Sequence, residues 1–391
     1  MGAEALAARA LPILERLVAF DTTSNLPNLA LIAWVEAYLA DLGVALRRVA
    51  SADGAKASLL ATIGPAVPGG VVLSGHTDVV PTLGQPWTSD PFTLTRRADR
   101  LFSRGTCDMK GFLALALAAV PDLIAAPLKK PAHLAFSYDE EIGCLGAPAL
   151  IAAMTAALPR PAVIVVGEPT SMEVVSAHKG VLAALVTVGG REAHSSQPHL
   201  GVSAVMVAAR LMAALVELAD SFEARADPGS LFEPRGATLT IGKVSGGTAG
   251  NILARQCSFL FDLRTAPGDD PRAILAEFFA LAASLDGQIK ARAPDGGVSV
   301  VVTAEVPAFA ARPDDPAEVL ARSLAGDNGP TRAVSFAAEA GQFQAAGYPT
   351  VLIGPGSIDQ AHQPDEYIDI SQLERGALFM TRLVETLTRD A

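Results

Sequence analysis

The sequence predicts an α/β protein, a mostly parallel sheet flanked by helices and interrupted by an inserted ferredoxin-like α+β domain. Three observations carry this expectation. Short β-branched runs alternate with longer Ala- and Leu-rich ones in the first half and again near the end, whereas the middle orders its elements β-α-β-β-α-β. The chain of 391 residues also exceeds the roughly 250–300 that one hydrophobic core usually supports.

In the first half, "VVLSG" (71–75), "HLAFSY" (133–138) and "AVIVV" (162–166) read as buried strands. Between them, 109–126 and 147–158 are long enough and rich enough in Ala and Leu to be helices. Strands alternating with helical crossovers imply a parallel sheet. The pattern resumes with "TVLIG" (350–354) and a helical tail from Ser371. In the middle, 181–190 reads as a strand and 201–220 as a helix; "ATLTIGKVSGG" and "RQCSFLFDLRT" follow as two strands joined by a turn. A helix with Pro271 in its first turn and a last strand, "GVSVVVTAEV", complete the unit. The expected boundaries are therefore catalytic segments at 1–177 and 306–391 with an insertion at 178–305.

Composition narrows the function classes. Half the residues are hydrophobic and 18% are charged, as in a packed globular protein. A net charge of −11 and a pI near 5.1 argue against nucleic acid as a partner, since phosphate binding needs a basic face. The N-terminal twenty residues lack the apolar core and cleavage site of a signal peptide, and Leu6 breaks the myristoylation pattern. The longest apolar stretch, from Phe112, is stopped by Pro121-Asp122, so no membrane span is expected. Cys107, Cys144 and Cys257 form neither a C-x-x-C pair nor an even disulfide set, which fits a reducing, cytoplasmic setting.

The chemistry collects at the strand ends. "VVLSG" runs into His76-Thr77-Asp78, "HLAFSY" into Asp139-Glu140-Glu141, and "AVIVVG" into Glu168; "TVLIG" is followed by a Gly/Pro loop and His362. Asp108 lies where the chain enters the 109–126 helix. Ligands of open parallel sheets bind outside the carboxyl ends of the strands, so these distant residues are expected to meet in one crevice. Two imidazoles and several carboxylates make an N/O donor set suited to zinc, cobalt or manganese. Five protein ligands are too many for one four-coordinate zinc and suit two ions sharing a carboxylate. Neither H-E-x-x-H nor G-x-S-x-G occurs.

Each residue also has an ordinary reading when taken alone. A strand-end His76 can simply bond its neighbouring Asp78, "DEE" can be a solvated acidic turn, Glu168 a turn residue and His362 a loop histidine. Their joint occurrence at successive strand ends favours the metal reading.

"SGHTDVVP", "SRGTCDMKG", "SYDEEIGCLG", "VVGEPT" and "GPGSIDQAHQPDEYI" resemble, in order, the five metal-site motifs of the M20 metallopeptidase family. Within it, "FDTTSNLPNLALI", "VVGEPTSMEVVSAHKG" and "EAGQFQAAGYPTVLIGPGSIDQAHQPDEYI" are most similar to the acetylornithine deacetylase group. The resemblance implies a zinc-peptidase-like catalytic domain whose insertion serves as lid and dimerisation domain. It implies two divalent ions, zinc first and cobalt as the alternative, bridged by Asp108. His76 and Glu168 would complete the first ion's ligands, and Glu141 and His362 the second's. Asp78 would accept the other N–H of His76 and fix its tautomer, and Glu140 would be the general base toward the bridging water. The peptide after Asp108 is cis in this family.

His194, in "GREAHSSQPH", would reach the tetrahedral oxyanion from the partner subunit of a homodimer; otherwise it caps a surface loop. Asn251 and Arg264 would approach the substrate carboxylate, against the alternatives of a turn residue and an intradomain ion pair. Glu339, in "AAEAGQF", would face the cationic side chain of an acylated diamino acid. Two positions depart from the family pattern: Ala254 stands where Pro is frequent and Ala338 where Thr is. Cys107 reads as a small packed residue, and His133, His178 and His199 as structural. Asp139 is left without a role.

The implied function is hydrolysis of N2-acetyl-L-ornithine, an N-acylated amino acid, to ornithine and acetate in arginine biosynthesis. Three rivals stay open: another family member (a succinyl-diaminopimelate desuccinylase, a general N-acyl-amino-acid amidohydrolase or a dipeptidase), a non-catalytic metal-binding protein, and a serine hydrolase using Ser74 or Ser137.

Overall fold

The structure, a computed structural model, describes residues 2–389. Two compact units emerge: Met1–Ala177, Phe309–Arg332 and Ala338–Ala391 form one, and His178–Ala308 with Ala333–Ala337 the other. The inserted unit thus runs three residues beyond the expected 305, because the Gly297–Val306 strand stays on its ladder as far as the Val306–Val181 pair. It also takes in 333–337, where the Ser335 hydroxyl donates to the Glu233 carbonyl at 2.6 Å.

The larger unit is built on a six-stranded sheet in the spatial order Ala45–Ala50, Ala57–Ile63, Ala132–Ser137, Val71–His76, Val163–Val166, Thr350–Leu352. The last four run parallel and the first two antiparallel. The antiparallel pair is absent from the sequence reading. Ala45–Ala50 is an edge strand with exposed Arg47 and Arg48, so it shows no apolar run, and such an edge on an otherwise parallel sheet is common. The central strands Val71–His76 and Ala132–Ser137 are buried along their whole length, which is why they read as continuous apolar runs.

The helix Lys110–Ala125 is apolar nearly all round and packs against Ala3–Val18 and Ile370–Leu387. Pro121 ends the apolar run as expected but does not end the helix. Proline has no N–H for the carbonyl four residues earlier, and here the Tyr38 hydroxyl donates to that Leu117 oxygen at 3.2 Å. Arg9 covers the next carbonyl, that of Ala118, from Nε at 3.2 Å and Nη2 at 3.1 Å. At the carboxyl end of the sheet, a Cβ on Gly167 would lie 2.1 Å from the Phe112 ring. Only glycine lets this helix close against the strand end that leads into Glu168.

The inserted unit has a four-stranded antiparallel sheet in the order Thr238–Gly246, Gln256–Thr265, Gly180–Gly189, Gly297–Val306. With the helices Ala204–Asp220 and Ala276–Lys290 packed on it, this is the split βαβ arrangement. Burial alternates along Gln256–Thr265, as expected of a strand with one covered face. Ser203 caps the first helix by accepting the Met206 N–H, and Asp270 caps the Pro271–Ile274 turn ahead of the second. Among the described residues, no helix is long and apolar enough to cross a membrane.

Candidate metal centre

The strand ends of the larger unit bring five predicted residues together. His76 is the last residue of its strand, and its Nε2 lies 3.0 Å from Asp108 Oδ1. Asp108 precedes a cis peptide to Met109, and its other oxygen lies 3.4 Å from His362 Nε2. The same His362 nitrogen is 3.0 Å from Glu141 Oε2. Two groups able to hold a cation result, His76–Asp108–Glu168 and Asp108–Glu141–His362, with the donor atoms of each within 4.8 Å of one another. Asp108 belongs to both.

The electrostatics suit cations there. Burial pushes the carboxyl of Glu168 well up, and repulsion from Glu140 and Asp108 adds to it. Burial also raises Glu141 to about 7, with Asp108 contributing. Asp108 behaves oppositely: burial alone would raise it, but hydrogen bonds from His362 and His76 hold it below the usual carboxylate range. Beside Asp108 and Glu141 the His362 imidazole is pushed up to about 10. One buried oxygen each of Glu141 and Glu168 has no hydrogen-bond partner. A buried carboxylate oxygen without a partner is what a divalent ion satisfies, and each group holds one, so the donor set fits two such ions.

The family profile described as Peptidase family M20/M25/M40 matches residues 72–386. The chain belongs to that family. It is 36% identical over 373 residues to an acetylornithine deacetylase of Proteus mirabilis, covering 94% of this chain and 92% of the relative. In three dimensions it resembles an M20 family metallo-carboxypeptidase from Sulfolobus solfataricus, with a TM-score of 0.77 at 17% identity over 97% of this chain and 99% of the other. It also resembles a dinuclear metal-binding peptidase of the M20 family from Bacillus subtilis, with a TM-score of 0.67 at 15% identity over 98% and 99% of the two chains. This chain is accordingly a metal-dependent amide hydrolase of the M20 family with a mainly parallel central sheet.

In this M20 member, Asp78 departs from the expected contact. The group nearest His76 Nδ1 is the Asp78 backbone carbonyl at 2.9 Å, while the carboxylate stands 3.6 Å away. The same nitrogen still carries the proton, so Nε2 is left free to ligate. The carboxylate is drawn off by better donors: the Ser24 hydroxyl at 2.8 Å and the backbone N–H groups of Glu140 at 3.1 Å and Glu141 at 3.3 Å. Asp78 therefore holds the turn that carries the acids. Glu140 belongs to neither cation group; its Oε1 accepts from the Cys144 thiol at 3.3 Å, and burial pushes its carboxyl well up.

Glu339 also joins this unit. It is buried, one oxygen has no partner, and the other accepts from the Ser74 hydroxyl at 3.3 Å, two residues before His76 on the same strand. The remaining predicted residues belong to the inserted unit. His194 is exposed, with Nδ1 2.8 Å from the Ser196 hydroxyl, and it bridges to Ile252 next to the exposed Asn251. Arg264 is not the buried, free guanidinium expected for carboxylate binding. It is half-exposed and paired with Asp262 on its own strand at 2.7 and 3.1 Å, the intradomain alternative. Cys107 is buried and burial pushes its thiol well up, which suits the packing role.

Sequence reasoning missed Ser24, Lys56, Arg104 and Glu366. Glu366 lies inside the quoted motif "HQPDEYI", and an acid in a Gly/Pro-rich loop beside a ligand histidine was the available signal. Lys56 had none, being a single lysine at the end of a polar turn ahead of an apolar run.

Proposed function

We propose that this enzyme is a two-metal amidohydrolase that removes the acetyl group from N2-acetyl-L-ornithine, giving ornithine and acetate in arginine biosynthesis. The observation that carries the reading is a carboxylate, Glu140, which lies beside two cation groups sharing Asp108 but belongs to neither. Holding metal needs no such group; hydrolysis needs a base. The 36% identity to an acetylornithine deacetylase supports the substrate, as does the buried Glu339, whose unpartnered oxygen suits an ornithine ammonium.

His76 and Glu168 would hold one ion and Glu141 and His362 the other, with Asp108 between them. When bound, two divalent ions supply Lewis acidity that acidifies a water and polarises an amide carbonyl. Glu140 would take the proton of the attacking water as the C–O bond forms, and return it to the amine nitrogen as the C–N bond then breaks. The Asp78 carboxylate, fixed by Ser24, holds the Glu140 and Glu141 amides and so sets where the base stands relative to the ligand beside it.

Zinc is the ion we favour, with cobalt as the alternative, because the donor set is nitrogen and oxygen. The protein acts in the cytoplasm as a homodimer joined through the inserted domain. His194, reaching over from the partner subunit, would donate to the developing oxyanion, with Asn251 meeting the substrate carboxylate; Arg264 would first have to leave Asp262. Metal analysis combined with a panel of acetylornithine, succinyl-diaminopimelate, acetylmethionine and a dipeptide tests the reading, with and without chelator. It predicts two ions per chain, preference for acetylornithine, and activity lost to the chelator. Preference for another substrate overturns the specificity, and activity that survives chelation overturns the chemistry.

A further inference from the structure

Two metal-ligand loops, far apart in sequence, are joined by a buried ion pair between residues 262 positions apart. Arg104 Nη1 lies 2.7 Å from Glu366 Oε2, and both side chains are about 1% exposed. The other oxygen, Glu366 Oε1, accepts the backbone N–H groups of Cys107 at 2.9 Å and Asp108 at 3.1 Å. Arg104 also reaches the His362 loop in two ways. Its Nη1 donates to the Gln363 carbonyl at 3.3 Å, and its Nη2 donates at 2.5 Å to Gln85 Oε1. The amide nitrogen of Gln85 then donates to the carbonyl of His362 itself, at 2.9 Å. The Trp87 indole N–H bonds Gln85 Oε1 at 3.1 Å and the Trp87 ring lies under the Arg104 guanidinium at 5.1 Å, which holds both side chains in place.

We propose that Arg104, Glu366 and Gln85 are positioning residues that fix the separation of Asp108 and His362 and so set the affinity of the Asp108–Glu141–His362 group for its ion. The inference rests on the two-metal reading above. None of the three side chains offers an atom to either cation group. They act through main-chain atoms: the amide of Asp108 and the carbonyl of His362 hang from the two ends of one network. His362 has special need of such support. Its side chain is half-exposed and its backbone is left-handed, with φ +64°, so the packed sheet that fixes His76 does not fix it. A planar five-donor guanidinium can bind a carboxylate, a main-chain carbonyl and an amide oxygen together, which lysine cannot.

The test titrates cobalt(II) into the metal-depleted full-length chain, followed by visible absorption and calorimetry. Wild type is expected to bind two equivalents. In Gln85→Leu, which frees only the His362 carbonyl, one equivalent should weaken roughly 10- to 100-fold, the range for partners that orient metal ligands, while the other changes by less than about threefold; Glu366→Gln, which frees the amide of the shared Asp108, should weaken both. At saturating cobalt, the melting temperature of Gln85→Leu should match wild type. Gln85 is only half-buried, so if Glu366→Gln fails to fold, Gln85→Leu decides alone. Wild-type affinities for both equivalents in Gln85→Leu, or equal weakening of both, overturn the proposal. A wild-type chain that binds fewer than two equivalents overturns the two-metal reading with it.

Discussion

Lys56 Nζ is ion-paired with the carboxylate of Asp139, a residue held in the left-handed region at φ +56°. The same ammonium donates to the carbonyl of Ser24, whose hydroxyl holds Asp78. Asp139 begins the turn that presents Glu140 and Glu141, so Lys56 and Asp78 grip that turn from two sides. Burial pushes the Asp139 carboxyl upward and Lys56 pulls it back. Both partners are largely buried, with side chains 14% and 11% exposed, so losing one leaves an uncompensated charge. Lys56→Met should cost about 3 kcal/mol of stability in urea unfolding. It should also lower kcat roughly 10- to 100-fold through misplacement of Glu140, with KM nearly unchanged. Asp139→Asn, which keeps the tolerance for positive φ but not the charge, should show the same kcat loss. Wild-type kcat in both variants would remove Lys56 from the catalytic argument.

Glu140→Gln separates metal binding from catalysis. The amide keeps the side-chain shape but cannot accept a proton, so turnover should fall about 100- to 10,000-fold. Metal content should stay as in wild type, since Glu140 belongs to neither cation group. Full turnover with metal bound would disprove its role as base.

Because Asp108 belongs to both groups and Glu168 and Glu141 to one each, metal content after dialysis should follow a simple order. Asp108→Ala should lose both ions, while Glu168→Ala and Glu141→Ala should each lose one. If Asp108→Ala kept one ion, the shared-carboxylate arrangement would be wrong.

His133 makes stability depend on pH. It is fully buried with Nδ1 2.9 Å from the Thr62 hydroxyl, and burial pushes its ring from 6.5 down to about 4. A depressed pKa means that the unfolded chain takes the proton first as pH falls. The stabilisation is therefore complete above about pH 6.5 and is lost progressively as pH drops toward 4, by up to ~1.4 kcal/mol per unit. The urea midpoint of His133→Gln should accordingly fall less steeply than that of wild type between pH 6.5 and 4. Parallel curves would show that His133 carries none of the acid sensitivity.

How much of this was legible depended on whether the signal was local. Strands buried on both faces, such as Val71–His76, announce themselves as apolar runs, and the polar residue that ends each run lies at the crevice by construction. The edge strand Ala45–Ala50 carries no such run, and Pro121 gives a breaker signal that Tyr38 quietly offsets from another helix. Arg264 was readable as a carboxylate binder or as half of an ion pair, and only the strand geometry that sets Asp262 beside it chose between them.

The sequence by itself determined the fold class, the family motifs and the order of the metal-type residues along the chain. These follow from periodicity and from what stands at a strand's end, which neighbouring residues encode. Tertiary structure alone decided that Asp78 meets His76 through its carbonyl and the acid turn through its carboxylate, that Asp139 belongs to Lys56, and that Arg104 and Glu366 join two ligand loops. The physical reason is that a buried polar group must find a partner, but the partner it finds depends on where the packed sheet delivers chain from far away.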